Sequence, residues 1–454
     1  MSAWDRLKFL VFGAPMEGED DIRPFGMDKR KYSFLDIFLI FSGTQIAISF
    51  FVVGAGTVQG LTVLQSFVAV FLGYGIVGGL IVGFIGKIGF NEGIPTMVAT
   101  RSAFGIRGSI LPVIITFIEL TGWTAVQVAL GGSALNTLIV SVNPALQSNA
   151  TLIISVVIIG VATLLIATRG GRTIKKMSDL VVPILIISLI YVAYIAMGKY
   201  SFGQILNMKN EGTNTFLSIF DVMIVSALTW APMAADYTRM GKTSKGSMYG
   251  VWLSLLIVTP VIHMIGMISA VGLGVPNPLT ALGSGIGSLI ALFMILFATL
   301  TTSVLILYST AMAGINMMES FGKKVPLWAV ATVVGIPAII LATKLEVVFF
   351  VIPYLDYLGG LLAPLFGIMI FDYYFTNRGK LSTDDLYKES GRYWGQGGFN
   401  VPGYISWIVG AVSYFYLLKM VRPYHSWVIV SLISLVLSGI IYLILKKKTV
   451  SQNA

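Results

Sequence analysis

Charged and turn-forming residues divide the chain into a dozen apolar stretches, each long enough to cross a bilayer, and this leaves few folds open to it. A helix needs about 20 apolar residues to cross roughly 30 Å of hydrocarbon, so twelve crossings consume on the order of 240 residues. With 454 residues in all, 56% hydrophobic and only 11% charged, the remainder is too short for a large soluble domain. The formal charge of +10 would point to nucleic acid in a soluble chain. In a membrane protein it reflects Lys and Arg gathered on the cytoplasmic side, so no nucleic-acid partner is read from it. There is no cysteine, and the two histidines, His263 and His425, are far apart. Disulfides, thiolate metal sites, a cysteine nucleophile and paired histidines are thus excluded, and no serine sits in a recognisable catalytic motif. The reading is not an enzyme, with no cofactor.

Apolar runs place spans near 34–57, 64–86, 109–136, 150–168, 179–198, 215–238, 249–273, 288–314, 325–343, 346–371, 403–420 and 425–445. If the amino terminus is inside, the inner segments hold 25 Lys/Arg and the outer loops five, a bias that one missed or invented span would destroy. The expectation is a multi-pass protein of the cell membrane, both termini cytoplasmic, working as a monomer. Residues 1–33 lack the apolar core and cleavage site of a signal peptide and read as a retained tail. The polar, Gly-rich stretch 376–402 reads as a connection, and 447–454 as a second tail.

Two spans carry polar or helix-breaking residues where a helix should be driest. Span 1 contains Gly43, Thr44, Gln45, Ile46 and Ala47; span 6 contains Ser226, Ala227, Thr229, Trp230 and Pro232, and Pro232 lacks the N–H an unbroken helix needs. Irregular backbone at membrane depth is tolerated only where protein buries it or it lines a cavity. Interruptions five spans apart suggest two inverted repeats of five spans, 34–200 and 201–375, followed by two further spans in 403–446. Close helix packing on Ser, Thr and Gly is the competing explanation.

Span 3 sets Glu119, Trp123 and Gln127 at intervals of four along one helical face. An indole gives a flat surface for a planar heterocycle, and an amide offers two donors and an acceptor. Glu119 is costly at membrane depth unless paired or protonated, which makes it a functional candidate, or else half of an interhelical hydrogen bond. In span 8, Ala298, Thr299, Thr301, Thr302 and Ser303 offer hard oxygen ligands suited to an alkali cation, unless each hydroxyl bonds back to its own helix.

With Arg101-Ser102-Ala103-Phe104-Gly105-Ile106-Arg107-Gly108-Ser109 and Pro112 before span 3, Gly122-Trp123 with Gln127 within it, and Asp236-Tyr237-Thr238-Arg239 closing span 6, the chain resembles the nucleobase:cation symporter-1 family. The resemblance covers most of the sequence. It implies an all-α fold of twelve transmembrane helices, a leucine-transporter-like 5+5 inverted repeat with helices 1 and 6 broken plus two C-terminal helices, moving substrate with Na+ or H+ by alternating access. It implies Trp123 as the stacking ring, Gln127 as the base-reading amide, and a Na+ site from the carbonyls of Gly43, Ile46 and Ala298 with the hydroxyls of Thr301 and Thr302. Two family contacts are replaced, by Ala227 in span 6 and by Leu307 in span 8. Trp230 is one substitute for the lost ring and Gln45 or Glu119 for the lost polar contact, with Ala47 and Ser226 beside them at the breaks. The expected function is cation symport of a nucleobase-like heterocycle, Na+ ahead of H+. An amino-acid or amine transporter on the same fold, told apart by substrate competition, and a passive channel, told apart by its currents, are the rival readings.

Overall fold

The computed structural model describes residues 21–168, 200–272, 286–344, 351–423 and 428–452, together with positions 194, 198 and 274. The expected fifth span, 179–198, lies almost wholly outside the described residues. Among them the chain is helical, with only isolated bridges between single residues. Eight helices are long and apolar enough to cross a membrane, or ten when each of two bent pairs counts as one span, and a shorter apolar helix covers Leu327–Ala342.

The first bent pair is α1 (Phe34–Gln45) and α2 (Ile48–Thr57), set at 68° to each other. Ser33 starts α1 with a capping box, its hydroxyl accepting from the Asp36 N–H while the Asp36 carboxylate accepts from the Ser33 N–H. At the break Ile46 leaves the helical region (φ −85°, ψ 61°) and Ala47 is extended (φ −121°, ψ 153°), so the last α1 carbonyls lose their helical partners. Then come α3 (Val63–Glu92), α4 (Ile110–Val142) and α5 (Asn149–Ala167). Within α3 a π-helical stretch, Phe71–Gly78, leaves the Gly75 carbonyl able to accept from the Trp252 indole at 3.1 Å.

The second bent pair is α6 (Phe216–Leu228) and α7 (Ala231–Thr238), bent by 41°. This interruption is milder than the first: Thr229 and Trp230 stay in the right-handed region, and the Trp230 N–H still reaches the Ala227 carbonyl at 3.0 Å. Pro232 falls in the first turn of α7, where its missing N–H costs no hydrogen bond. The remaining helices are α8 (Ser244–Gly272), α9 (Ile286–Ser320), α10 (Leu327–Ala342), α11 (Val351–Phe371), α12 (Val401–Tyr416) and α13 (Val430–Gln452).

Helix α9 packs along α4, and α8 lies against α1, α2 and α3, so both breaks are enclosed by long helices. Gly54 of α2 and Gly266 of α8 make the closest approach possible: a Cβ on Gly54 would run into the His263 carbonyl, and one on Gly266 into the Phe51 carbonyl. Helices α12 and α13 pack on each other and on α11, outside this core.

Two segments read as plain tail and connection are folded onto the helix ends. The Phe25 N–H donates to the Gly93 carbonyl at 2.7 Å, Arg239 donates to the Asp21 carbonyl at 2.6 Å, and the Tyr387 hydroxyl donates to the Ile22 carbonyl at 2.6 Å. Residues 21–25 thereby strap the ends of α3 and α7 to the loop after α11.

Candidate substrate and cation site at the helix breaks

Midway along α4, Glu119, Trp123 and Gln127 are all turned into the protein and not toward lipid, at 0%, 6% and 1% exposure. The Gln127 amide nitrogen donates to the Ser49 hydroxyl of α2 at 2.8 Å, joining α4 to the first break. Its Oε1 has no hydrogen-bond partner among the described residues, nor do the Trp123 Nε1 and both carboxylate oxygens of Glu119. Each buried polar atom left unpaired costs about 1–3 kcal/mol, and folded proteins leave few of them. Four on successive turns of one helix form a polar edge with spare capacity for a guest. The Trp123 ring meets the Tyr354 ring edge-on at 6.3 Å, and the Tyr354 hydroxyl, donating to the carbonyls of Ile118 and Glu119, fixes that ring against α4.

At the break in α1–α2, Gly43, Gln45, Ile46 and Ala47 are all buried. The Gln45 amide nitrogen donates to the Phe41 carbonyl at 3.0 Å and the Ser254 hydroxyl of α8 at 3.2 Å, so it is held on the α8 side of the break. At the second break Trp230 stacks on Phe50 of α2 at 6.0 Å and 21° and meets Phe41 of α1 edge-on, tying the two broken helices through rings. Phe50 was missed by sequence reasoning; its position five residues after Gln45 gave no signal, because the helical phase is lost at the break. Ser226 is buried, and its carbonyl accepts from the Thr229 hydroxyl at 2.7 Å.

The side chains at the two replaced family contacts pack against glycines of neighbouring helices. Ala227 faces Gly78 of α3 so closely that a Cβ on Gly78 would collide with it. Leu307 lies against Gly335 of α10. Both are helix-packing positions. The face of α9 turned to the broken helices carries Thr302, whose hydroxyl contacts Thr44, and Leu305, whose carbonyl accepts from Tyr237 of α7 at 3.4 Å.

The Thr302 hydroxyl lies 2.7 Å from the Thr44 carbonyl and 3.1 Å from the Ala298 carbonyl, joining α9 to the last turn of α1. The Thr301 hydroxyl donates to Phe297 in its own helix at 2.8 Å, and Ser303 likewise to Thr299. The oxygens here are neutral carbonyls and hydroxyls, at the negative end of the α1 dipole, a donor set that fits a weakly held alkali cation. Among the described residues no group of three or more His, Asp or Glu side chains gathers into a divalent-metal site.

Other charged groups are bound locally. The Asp236 carboxylate accepts from the Thr96 N–H at 3.0 Å, whereas Arg239 donates to the carbonyls of Asp236 and Asp21, so the Asp236–Arg239 neighbours meet through backbone. Nδ1 of His263 lies 2.8 Å from the Thr259 carbonyl, inside the bundle.

Two bent helices packed among long ones, with unpaired polar atoms on α4 beside the first bend and neutral oxygen donors at that bend, are the arrangement of a membrane transporter of the broken-helix class. The chain matches, over residues 24–438, the family described as permease for cytosine/purines, uracil, thiamine, allantoin, and it belongs to that family. It is 26% identical to the purine-uracil permease NCS1 of Arabidopsis thaliana over 430 residues, 88% of this chain and 71% of that one. It is 22% identical to the allantoin permease of Bacillus subtilis (strain 168) over 431 residues, 87% and 86% of the two chains. The fold is that of Mhp1, a nucleobase-cation-symport-1 family transporter in a closed conformation with bromovinylhydantoin bound, at a TM-score of 0.82 and 22% identity, over 94% of this chain and 95% of that one. The leucine-transporter-like architecture expected from the resemblance is thus the observed one, and the protein is a multi-pass membrane permease.

Proposed function

We propose that the chain imports a planar heterocycle of the nucleobase or hydantoin kind by sodium symport with alternating access, as a monomer of the cell membrane with both termini cytoplasmic. The observation that carries this reading is the unpaired polar edge of α4: the Trp123 ring and its N–H, the Gln127 carbonyl and the Glu119 carboxyl beside the first break. Stacking on an aromatic ring contributes about 1–3 kcal/mol, and the Gln127 amide reads the heterocycle's N–H groups. Sodium seats among the carbonyls of Gly43, Ile46 and Ala298 and the hydroxyls of Thr301 and Thr302, taking up the oxygens that Thr302 and Thr44 now share. Bound there it pins α1 to α9, and with the substrate on α4 the two broken helices are set for inward opening. A membrane potential supplies about 2.3 kcal/mol per charge per 100 mV, enough for one sodium to drive accumulation.

Uptake into proteoliposomes of labelled uracil, cytosine, hydantoin and allantoin, with and without a sodium gradient, tests the reading. Sodium-stimulated uptake of at least one, blocked by the other heterocycles and not by amino acids, supports it. Block by amino acids or amines alone would move the substrate to the rival class, and substrate-independent currents would make the protein a channel. Proton coupling is the second reading, favoured by the two unpaired carboxylate oxygens of Glu119.

A further inference from the structure

A cavity of about 230 Å³, none of whose lining residues belongs to the breaks, lies where the strap, the turn before α4, the end of α9 and the loop after α11 converge. Arg23, Arg101 and Lys324 bring positive charge to its wall, and Tyr387 and Trp394 bring rings. Two carboxylates also line it, and both are already engaged: Glu319 with Arg23 at 2.7 Å and Glu389 with Arg107 at 3.1 Å. Arg101 is 1% exposed, yet among the described residues its guanidinium donates only to neutral groups, the carbonyls of Leu386 and Asn316 and the Ser320 hydroxyl. Among the same residues its Nε has no partner. Lys324 forms no ion pair with any described residue. Burial pushes the Arg101 guanidinium down to about 10, so at neutral pH it remains charged.

Arg101 feels Glu319 electrostatically but donates to no carboxylate, Glu319 being paired with Arg23, so the guanidinium keeps capacity for an anion. Arg with Lys beside aromatic rings is the combination that holds a phosphate joined to a flat heterocycle. Arg23 already lies over the Tyr387 ring at 4.5 Å, Arg101 over the same ring at 5.1 Å, and Arg107 over Trp394 at 4.8 Å, so cations and rings are interleaved around the cavity.

We infer that this cavity binds a nucleoside monophosphate, the phosphate against Arg101 and Lys324 and the base against Trp394. The choice of nucleoside rests on the proposed transport of bases; the anion site itself does not. An occupant would join the strap, α9 and both loops, so in the proposed cycle it would oppose opening on this face and make uptake answer to the internal pool of the captured compound.

The test is calorimetric titration of the purified full chain in neutral-lipid nanodiscs with uridine monophosphate, uridine and inorganic phosphate, and competition with vesicles containing phosphatidic acid. Uridine monophosphate is expected to bind about tenfold more tightly than phosphate or uridine, since stacking and charge-assisted bonds are each worth that factor. Trp394→Ala should erase its advantage over phosphate, and Lys324→Gln, an exposed change that leaves the fold alone, should weaken both phosphate ligands about tenfold. No binding at millimolar concentration, equal binding of uridine and its monophosphate, affinities unmoved by both substitutions, or displacement by phosphatidic acid with no preference for the base would each overturn the inference. Uracil uptake with no nucleotide binding removes this inference alone; nucleotide binding without base uptake removes the transport reading alone.

Discussion

The Thr302 hydroxyl donates to the Thr44 carbonyl across 2.7 Å, so a side chain of a continuous helix is bonded to the unwound end of a broken one. Thr44 can offer that oxygen because the chain leaves helical geometry at Ile46 and no later N–H comes back to claim it. The bond is where movement of α1 against α9 would be felt first.

Replacing Thr302 by Ala removes both the bond and one proposed sodium ligand. The sodium concentration giving half-maximal uptake should rise at least about tenfold, the equivalent of losing a hydrogen bond to a charged group. Thr302→Ser restores the hydroxyl and should restore the sodium response. Uptake measured across a sodium titration checks both; an unchanged response in the Ala variant would remove the proposed cation site.

Glu119→Gln keeps the side chain's size and an acceptor while removing its ability to ionise. With sodium as the driving ion, uptake under a fixed sodium gradient should stay within about threefold of the parent, less than a lost hydrogen bond would cost. Its dependence on external pH should be unaltered. Collapse of uptake driven by an imposed pH gradient in this variant, with the parent active, would transfer the coupling to protons.

Much of this arrangement was legible in the sequence because helical spacing carries through an unbroken helix. Glu119, Trp123 and Gln127 recur every four residues, and α4 runs from Ile110 to Val142 without interruption, so their shared face survives folding. The breaks were legible through Gly43 and Pro232, but their character was not: the first unwinds, whereas the second only bends. Across a break the phase is lost, and counting from a motif did not show which way a side chain turns. Ala227 faces Gly78 and Leu307 faces Gly335, while Trp230 finds Phe50. The strap of residues 21–25 was hidden because it is held chiefly through backbone carbonyls, which any residue supplies.

Gly54→Ala should destabilise the protein severely. The glycine lies in ordinary helical backbone, so the cost is steric alone: the new methyl group would occupy the position of the His263 carbonyl, and backbone cannot swing aside as a side chain can. Forcing α2 from α8 should cost about 3 kcal/mol or more, the upper range for overpacking. Gly203→Ala, in a short helix with nothing near its Cβ, should be neutral or stabilise by up to about 1 kcal/mol. Thermal unfolding of the two variants beside the parent decides it, and equal melting temperatures would mean that α2 and α8 are not so closely apposed.

Asp221, near the start of α6, caps another helix. Its carboxylate, 1% exposed, accepts from the backbone N–H of Val430 at 3.2 Å and of Ser431 at 2.9 Å, the first residues of α13, and from Arg422 at 3.1 Å. One side chain of α6 thus satisfies two of the free donors at the α13 N-terminus and balances the cation that precedes it. Arg422 also donates to the Ser218 carbonyl at 2.9 Å, which fastens the α12–α13 turn to the start of α6 twice over. Removing one member of a buried pair costs about 3–5 kcal/mol because the other is left uncompensated. Asp221→Ala should fall toward the lower figure, since Arg422 keeps 13% of its side chain exposed and can turn to water. Arg422→Ala should be the costlier change, because it strands the carboxylate inside with only neutral donors. Melting temperatures of the two variants, with Asp221→Asn to separate charge from hydrogen bonding, test the ranking. If Asp221→Ala melts with the parent and instead changes the pH dependence of uptake, the residue belongs to the transport chemistry and not to the attachment of α13.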